Sequence, residues 1–225
     1  MRRTLVHREY YWAFAAWVHH TTSRYTAAAI SINRRITYLH ILLQLVSISF
    51  KYLAVLNTQT HTVNPNFEQF KALVQSPLKF KMFMLRSLPA AYFAGLRIEA
   101  FDETTAVISV KQKWFNKNPF GSIYFAVLTM AAEMSTGVLS MANVFKRKPS
   151  VSMLVVSTDA SFYKKATGKI LFTCNDGAAI AGIIEEAIKT GEGKTITCTS
   201  TGRNEMGEVV AAIQCTWSFK AKTKA

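Results

Sequence analysis

Glu133 is the only formally charged residue between Lys117 and Lys146, inside an almost wholly apolar run over residues 123–145. A carboxylate among apolar neighbours loses its hydration, so it is either satisfied by hydrogen bonds or held ready as an acid or base. The run opens on Asn118-Pro119-Phe120-Gly121-Ser122, residue types that make a tight turn and start a helix. All five histidines (His7, His19, His20, His40 and His61) lie before Thr62. Chemistry in the remainder therefore excludes a Ser–His or Cys–His pair and a histidine-based metal site. Acid–base work there falls to a carboxylate, a lysine, a tyrosine or a backbone dipole, and Glu133 is the natural candidate.

The elements that must position this residue follow from periodicity and turn chemistry. Residues 67–74 and 77–88 pattern as two amphipathic helices, the first with Asn66 as its expected cap. Residues 95–100 and 105–111 alternate apolar and polar around Phe101-Asp102-Glu103-Thr104, as a hairpin does. The apolar helix is predicted over residues 123–143. Strands are predicted at 151–158, 168–175, 194–200 and 209–219, with a helix at 178–189 capped by Asp176 and a turn at 203–207. A hairpin, one long apolar helix and a run of mostly antiparallel strands make the class α+β. A helix apolar nearly all round needs cover on most sides, which a sheet wrapped around it gives incompletely. A second subunit would complete the enclosure, so a homodimer or homotetramer is expected.

At 225 residues and half hydrophobic, the chain can build one full core with sequence to spare. Its net charge of +14 suits an anionic partner, and nucleic acid is set aside because no recognition-helix or zinc-finger pattern is present. Cys174, Cys198 and Cys215 fall in strand-like segments without close spacing and read as free core thiols, consistent with a cytoplasmic chain. Residues 1–62 differ from the rest, with seven Arg/Lys against one acid and an apolar stretch at 36–56. That stretch just reaches bilayer length but is interrupted by His40, Gln44 and Lys51. The extension reads as a membrane-surface anchor, a loosely attached helical extension or a stretch translated from a misplaced start codon. The break in composition favours the last, and membrane contact is expected only if residues 1–62 are real. The domain itself is expected over residues 63–225.

Over roughly Phe67 to Lys220 the chain resembles the DUF4442 branch of the hotdog-fold proteins, near the PaaI-like acyl-CoA thioesterases. The likeness is carried by Asn118-Pro119-Phe120-Gly121-Ser122-Ile123-Tyr124-Phe125, Ala131-Ala132-Glu133, the Phe162–Gly168 turn and Gly207-Glu208-Val209-Val210-Ala211. It implies an antiparallel sheet wrapped around a long central helix, an acyl-CoA or other acyl thioester as substrate, and no cofactor or metal. It also implies that the thioester carbonyl sits at the helix start, against backbone N–H groups around Tyr124, Phe125 and Ala126. Gly121 would allow close approach of the loop, and Asn118 and Ser122 would contact substrate. Glu133, about two turns into the helix, would act as general base or nucleophile. Many thioesterases of this fold carry His-Gly-Gly at the helix start, where this chain has Tyr124-Phe125-Ala126. Dehydratases of the fold need a histidine that is missing here.

Overall fold

The computed structural model describes residues 64–222, and the readings of residues 1–62 lie outside the described residues. Three helices open the domain: α1 (Phe67–Gln75), α2 (Pro77–Ser87) and α3 (Pro89–Ala94). Pro77 and Pro89 occupy first-turn positions, where the missing N–H costs nothing and the fixed φ suits a helix start. Gly95 ends α3 at φ 83°, its N–H turned back onto the Ala91 and Tyr92 carbonyls. The short α3 extends the expected helical region beyond residue 88.

The hairpin β1 (Arg97–Phe101) and β2 (Ala106–Lys111) follows, and the central helix α4 spans Phe125–Val144. Then come β3 (Val151–Phe162), β4 (Lys169–Cys174), α5 (Gly177–Thr190), β5 (Lys194–Arg203) and β6 (Val209–Ala221). The six strands form one sheet in the order β1-β2-β4-β5-β6-β3, with every neighbouring pair antiparallel. Strand β3 runs four residues past its expected end and lies at the sheet edge.

The sheet packs against α4 through alternate residues, among them Ile108, Phe172, Ile213, Cys215 and Phe219, all fully buried. Small residues on α4 (Ala131, Ala132, Ser135 and Ala142) let the helix lie close to the strands. Ser135 and Ser200 share a hydroxyl–hydroxyl hydrogen bond of 2.7 Å across that contact. Among the described residues α4 is the one helix long and apolar enough to cross a membrane, and most of it is buried as the core helix.

Two expected caps are corrected. Asn66 and Asp176 stand at the starts of α1 and α5, but neither side chain caps its helix. Asn64 holds the first turn of α1 instead, its Oδ1 accepting the Asn66 N–H at 3.1 Å and its carbonyl the Phe67 N–H at 2.8 Å. The Asn64 amide also donates to the Ala142 and Phe145 carbonyls at 2.7 and 2.8 Å, closing the end of α4. The Asp176 carboxylate accepts the Thr199 N–H at 2.8 Å, which ties the start of α5 to β5.

Candidate functional site

The start of α4 is built by the Asn118–Ser122 turn. The Asn118 Oδ1 accepts the N–H groups of Phe120 and Ser122 at 3.0 and 3.1 Å, and its amide donates to the Ser122 hydroxyl at 3.0 Å. Both side chains are thus engaged inside the turn. Gly121 adopts φ 74°, a conformation that favours glycine, and an added Cβ there would meet nothing within 4 Å. That angle by itself calls for glycine at this position.

The donor set at the helix start is smaller than expected. The Tyr124 N–H is taken by the Asn116 carbonyl at 2.8 Å. Those of Phe125 and Ala126 have no partner among the described residues, as the first turn of any helix leaves them. They lie at the positive end of a 20-residue helix whose first residue, Phe125, lines an open cleft of about 600 Å³. Asn118, Ser122, Tyr124 and Phe125 line this cleft with Phe162 and Lys165. The rings of Tyr124 and Phe125 stand 4.8 Å apart, and Phe125 meets Phe162 at 6.1 Å.

Glu133 lies elsewhere. It lines a cavity of about 360 Å³ whose walls are mainly apolar side chains of α1, α2 and α4 together with Leu88, Ile98, Met153 and Trp217, and which Lys79 also lines. The cleft and this cavity share no lining residue. Burial raises the Glu133 pKa above the ordinary 4.5. Its carboxylate accepts no hydrogen bond among the described residues. Gly137, one turn along, leaves space for it: a Cβ there would come within 3.2 Å of Glu133 Oε1 and 3.3 Å of Trp217 Cζ2.

A family model described as "Domain of unknown function (DUF4442)" matches residues 78–219, more than half of the chain. The chain belongs to the DUF4442 family. No curated protein matches it. Among solved structures, the DUF4442 chain is similar to a Pseudomonas aeruginosa protein described as of unknown function and a probable thioesterase. The two share 21% identity over 65% of this chain and 97% of that one, with a TM-score of 0.56. A protein of unknown function from Chlorobaculum tepidum gives 17% identity over 64% and 94% of the two chains, also with a TM-score of 0.56. The fold of this DUF4442 domain is the hotdog fold, an antiparallel sheet around a long helix.

Other charged and thiol side chains of the DUF4442 chain are variously paired, exposed or buried. Lys164 pairs with Glu208 at 2.6 Å, while Lys165 reaches the Phe120 carbonyl at 3.5 Å on the cleft rim. Asp159 is exposed on the edge strand β3. The three cysteines are buried and unbridged, and burial pushes the Cys174 thiol up to about 12, so it is no nucleophile near neutrality. Sequence reasoning missed the cavity wall formed by Phe70, Phe80, Met84 and Trp217. The apolar spacing of α1 and α2 was visible, but periodicity does not say which partner an apolar face meets.

Proposed function

We propose that this chain hydrolyses an acyl thioester, an acyl-CoA being the natural donor, with Glu133 as general base or nucleophile. The observation that carries this is an unpaired, desolvated carboxylate in the apolar wall of a cavity on the central helix of a hotdog fold. Acting as base, Glu133 takes a proton from water as the water oxygen bonds to the thioester carbonyl carbon. The Phe125 and Ala126 N–H groups stabilise the oxyanion, and its collapse breaks the C–S bond and expels the thiolate. The carboxylic acid leaves, and the proton passes from Glu133 to the thiolate. The cavity, about twelve water volumes at roughly 30 Å³ each, suits the acyl chain. Lys165 on the cleft rim suits a phosphate.

Because the helix start and Glu133 of one chain open into different cavities, the working site in this reading joins the helix start of one copy to Glu133 of another. The outer edge of β3, twelve residues long with Leu154 and Val156 exposed, supports a homodimer. The buried free thiols accord with a cytoplasmic compartment. The same proposal takes residues 63–225 as the catalytic domain and residues 1–62 as a separate extension.

A second reading has its own support. Tyr124 and Phe125 place two aromatic rings where a flexible glycine would leave room for a carbonyl. A non-catalytic protein that holds an acyl chain or acyl-CoA fits that bulk. Thiol release from a panel of short, long and aromatic acyl-CoAs, with the full chain and its Glu133→Gln variant side by side, separates the two. Turnover that the variant loses supports the hydrolase, and no turnover by either folded protein supports the binder.

A further inference from the structure

We propose that the outer face of α2 docks on an anionic lipid bilayer. This helix is apolar on two opposite sides. Phe80 and Met84 face the domain, Met84 being only 1% exposed. Leu78, Met82 and Leu85, spaced i, i+4 and i+7, form a second stripe that is 70%, 64% and 49% exposed. A surface helix that only covers a core keeps its outer face polar, so a second apolar stripe marks a contact with something else.

The charge around the stripe says what that is. Residues 69–98 contain five Lys/Arg and no Asp or Glu. Helical spacing sets Lys81 on one flank of the stripe and Arg86 on the other, with Lys79 on the Arg86 side and also lining the Glu133 cavity. All three are exposed, and among the described residues none is in an ion pair. Lying flat, such a helix sinks its apolar stripe between acyl chains while the flanking cations meet acidic headgroups. Nearby, the Phe93 ring meets Phe115 at 6.3 Å, and Trp114 is 80% exposed, a residue type favoured at the membrane–water boundary. A second copy suits the stripe less well. A two-fold pairing would set these cations against themselves, with no acid in residues 69–98 to offset them.

Docking does not depend on hydrolysis, and the test keeps the two apart. The full chain is sedimented with vesicles of phosphatidylcholine alone and of phosphatidylcholine mixed with phosphatidylserine. Two variants run beside it: Leu78→Glu with Met82→Glu, and Lys81→Glu with Arg86→Glu. The wild type should partition onto the acidic vesicles and not the neutral ones. Both variants should lose about tenfold or more of that binding while keeping the wild-type melting temperature and vesicle-free thiol release. Failure of the wild type to bind acidic vesicles would overturn the proposal. Undiminished binding by the Leu78/Met82 variant would also do so, by placing the contact on another segment such as residues 1–62. A wild-type oligomer in vesicle-free buffer that this variant dissociates would instead assign the stripe to a second copy.

Discussion

The Trp217 indole N–H donates to the Thr136 hydroxyl at 2.9 Å. That hydroxyl in turn donates to the main-chain carbonyl of Glu133, also at 2.9 Å. Strand β6 is thereby pinned to the central helix beside the candidate carboxylate, yet neither bond uses the carboxylate itself. The rigid wall and the free acid are separate features, so substitutions can test them separately.

Glu133→Gln keeps the shape and removes the base. Thiol release should fall by about two to four orders of magnitude, the usual weight of a general base. The fold should hold, because a neutral amide is easier to bury than an unpaired charge. Denaturant melts at neutral pH should show the variant as stable as wild type or more so.

The pH dependence follows from the raised pKa of Glu133. The folded chain keeps this proton to a higher pH than the unfolded chain, whose carboxyl titrates near the ordinary 4.5. The stability linked to this proton is fully present below that value and is lost as pH rises through the folded-state pKa. Glu133→Gln should therefore gain on wild type as pH rises through this window. Thiol release should climb with pH over the same range as the base ionises. Glu99 and Glu208 have lowered pKa values and act with the opposite sign, so the difference between wild type and variant isolates Glu133.

Gly137→Ala should injure function more than stability. The new methyl would crowd Glu133 Oε1 at 3.2 Å and the Trp217 ring at 3.3 Å. The carboxylate can swing aside, whereas the indole is buried and bonded, so the carboxylate should leave its position. Alanine's helix preference, worth about 1 kcal/mol over glycine, offsets much of the crowding. Thiol release should drop at least as steeply as melts move little.

Trp217→Phe should behave the other way. It removes the bond to Thr136 and leaves a void beside a side chain that is only 4% exposed. A loss of about 2–3 kcal/mol is expected from the two effects together. Denaturant unfolding measures it directly, and an unchanged midpoint would show that the wall is not held by this contact.

Much of the fold was legible because its signals are local. The long apolar run, interrupted by Glu133 and opened by a turn, reads as a buried helix, and the strands alternate clearly, so α4 and all six strands appear close to their expected positions. Asn66 and Asp176 misled because a residue type suited to capping says nothing about competing partners. Asn64 lies close enough to hold α1, and the Thr199 N–H draws the Asp176 carboxylate away. At the site, the free N–H groups of Phe125 and Ala126 follow from helix geometry. The loss of Tyr124 as a donor does not, because its acceptor, Asn116, belongs to a turn whose placement is tertiary. The separation of Glu133 from the helix start was hidden for a similar reason. Sequence spacing gave their distance along the helix, but the side on which each opens depends on where α1 and α2 pack.

The Asn64 amide reaches the last turn of α4 from seventy-eight residues away. The stretch matched by the family model starts only at residue 78. The minimal folding unit is therefore expected to be longer than the stretch that the family model matches. A fragment trimmed to the family boundaries would lose α1 and the clamp on the Ala142 and Phe145 carbonyls, leaving the central helix frayed at its end. Within this chain, residues 64–77 brace the matched domain, and deletion mapping of the domain should stop short of Asn64.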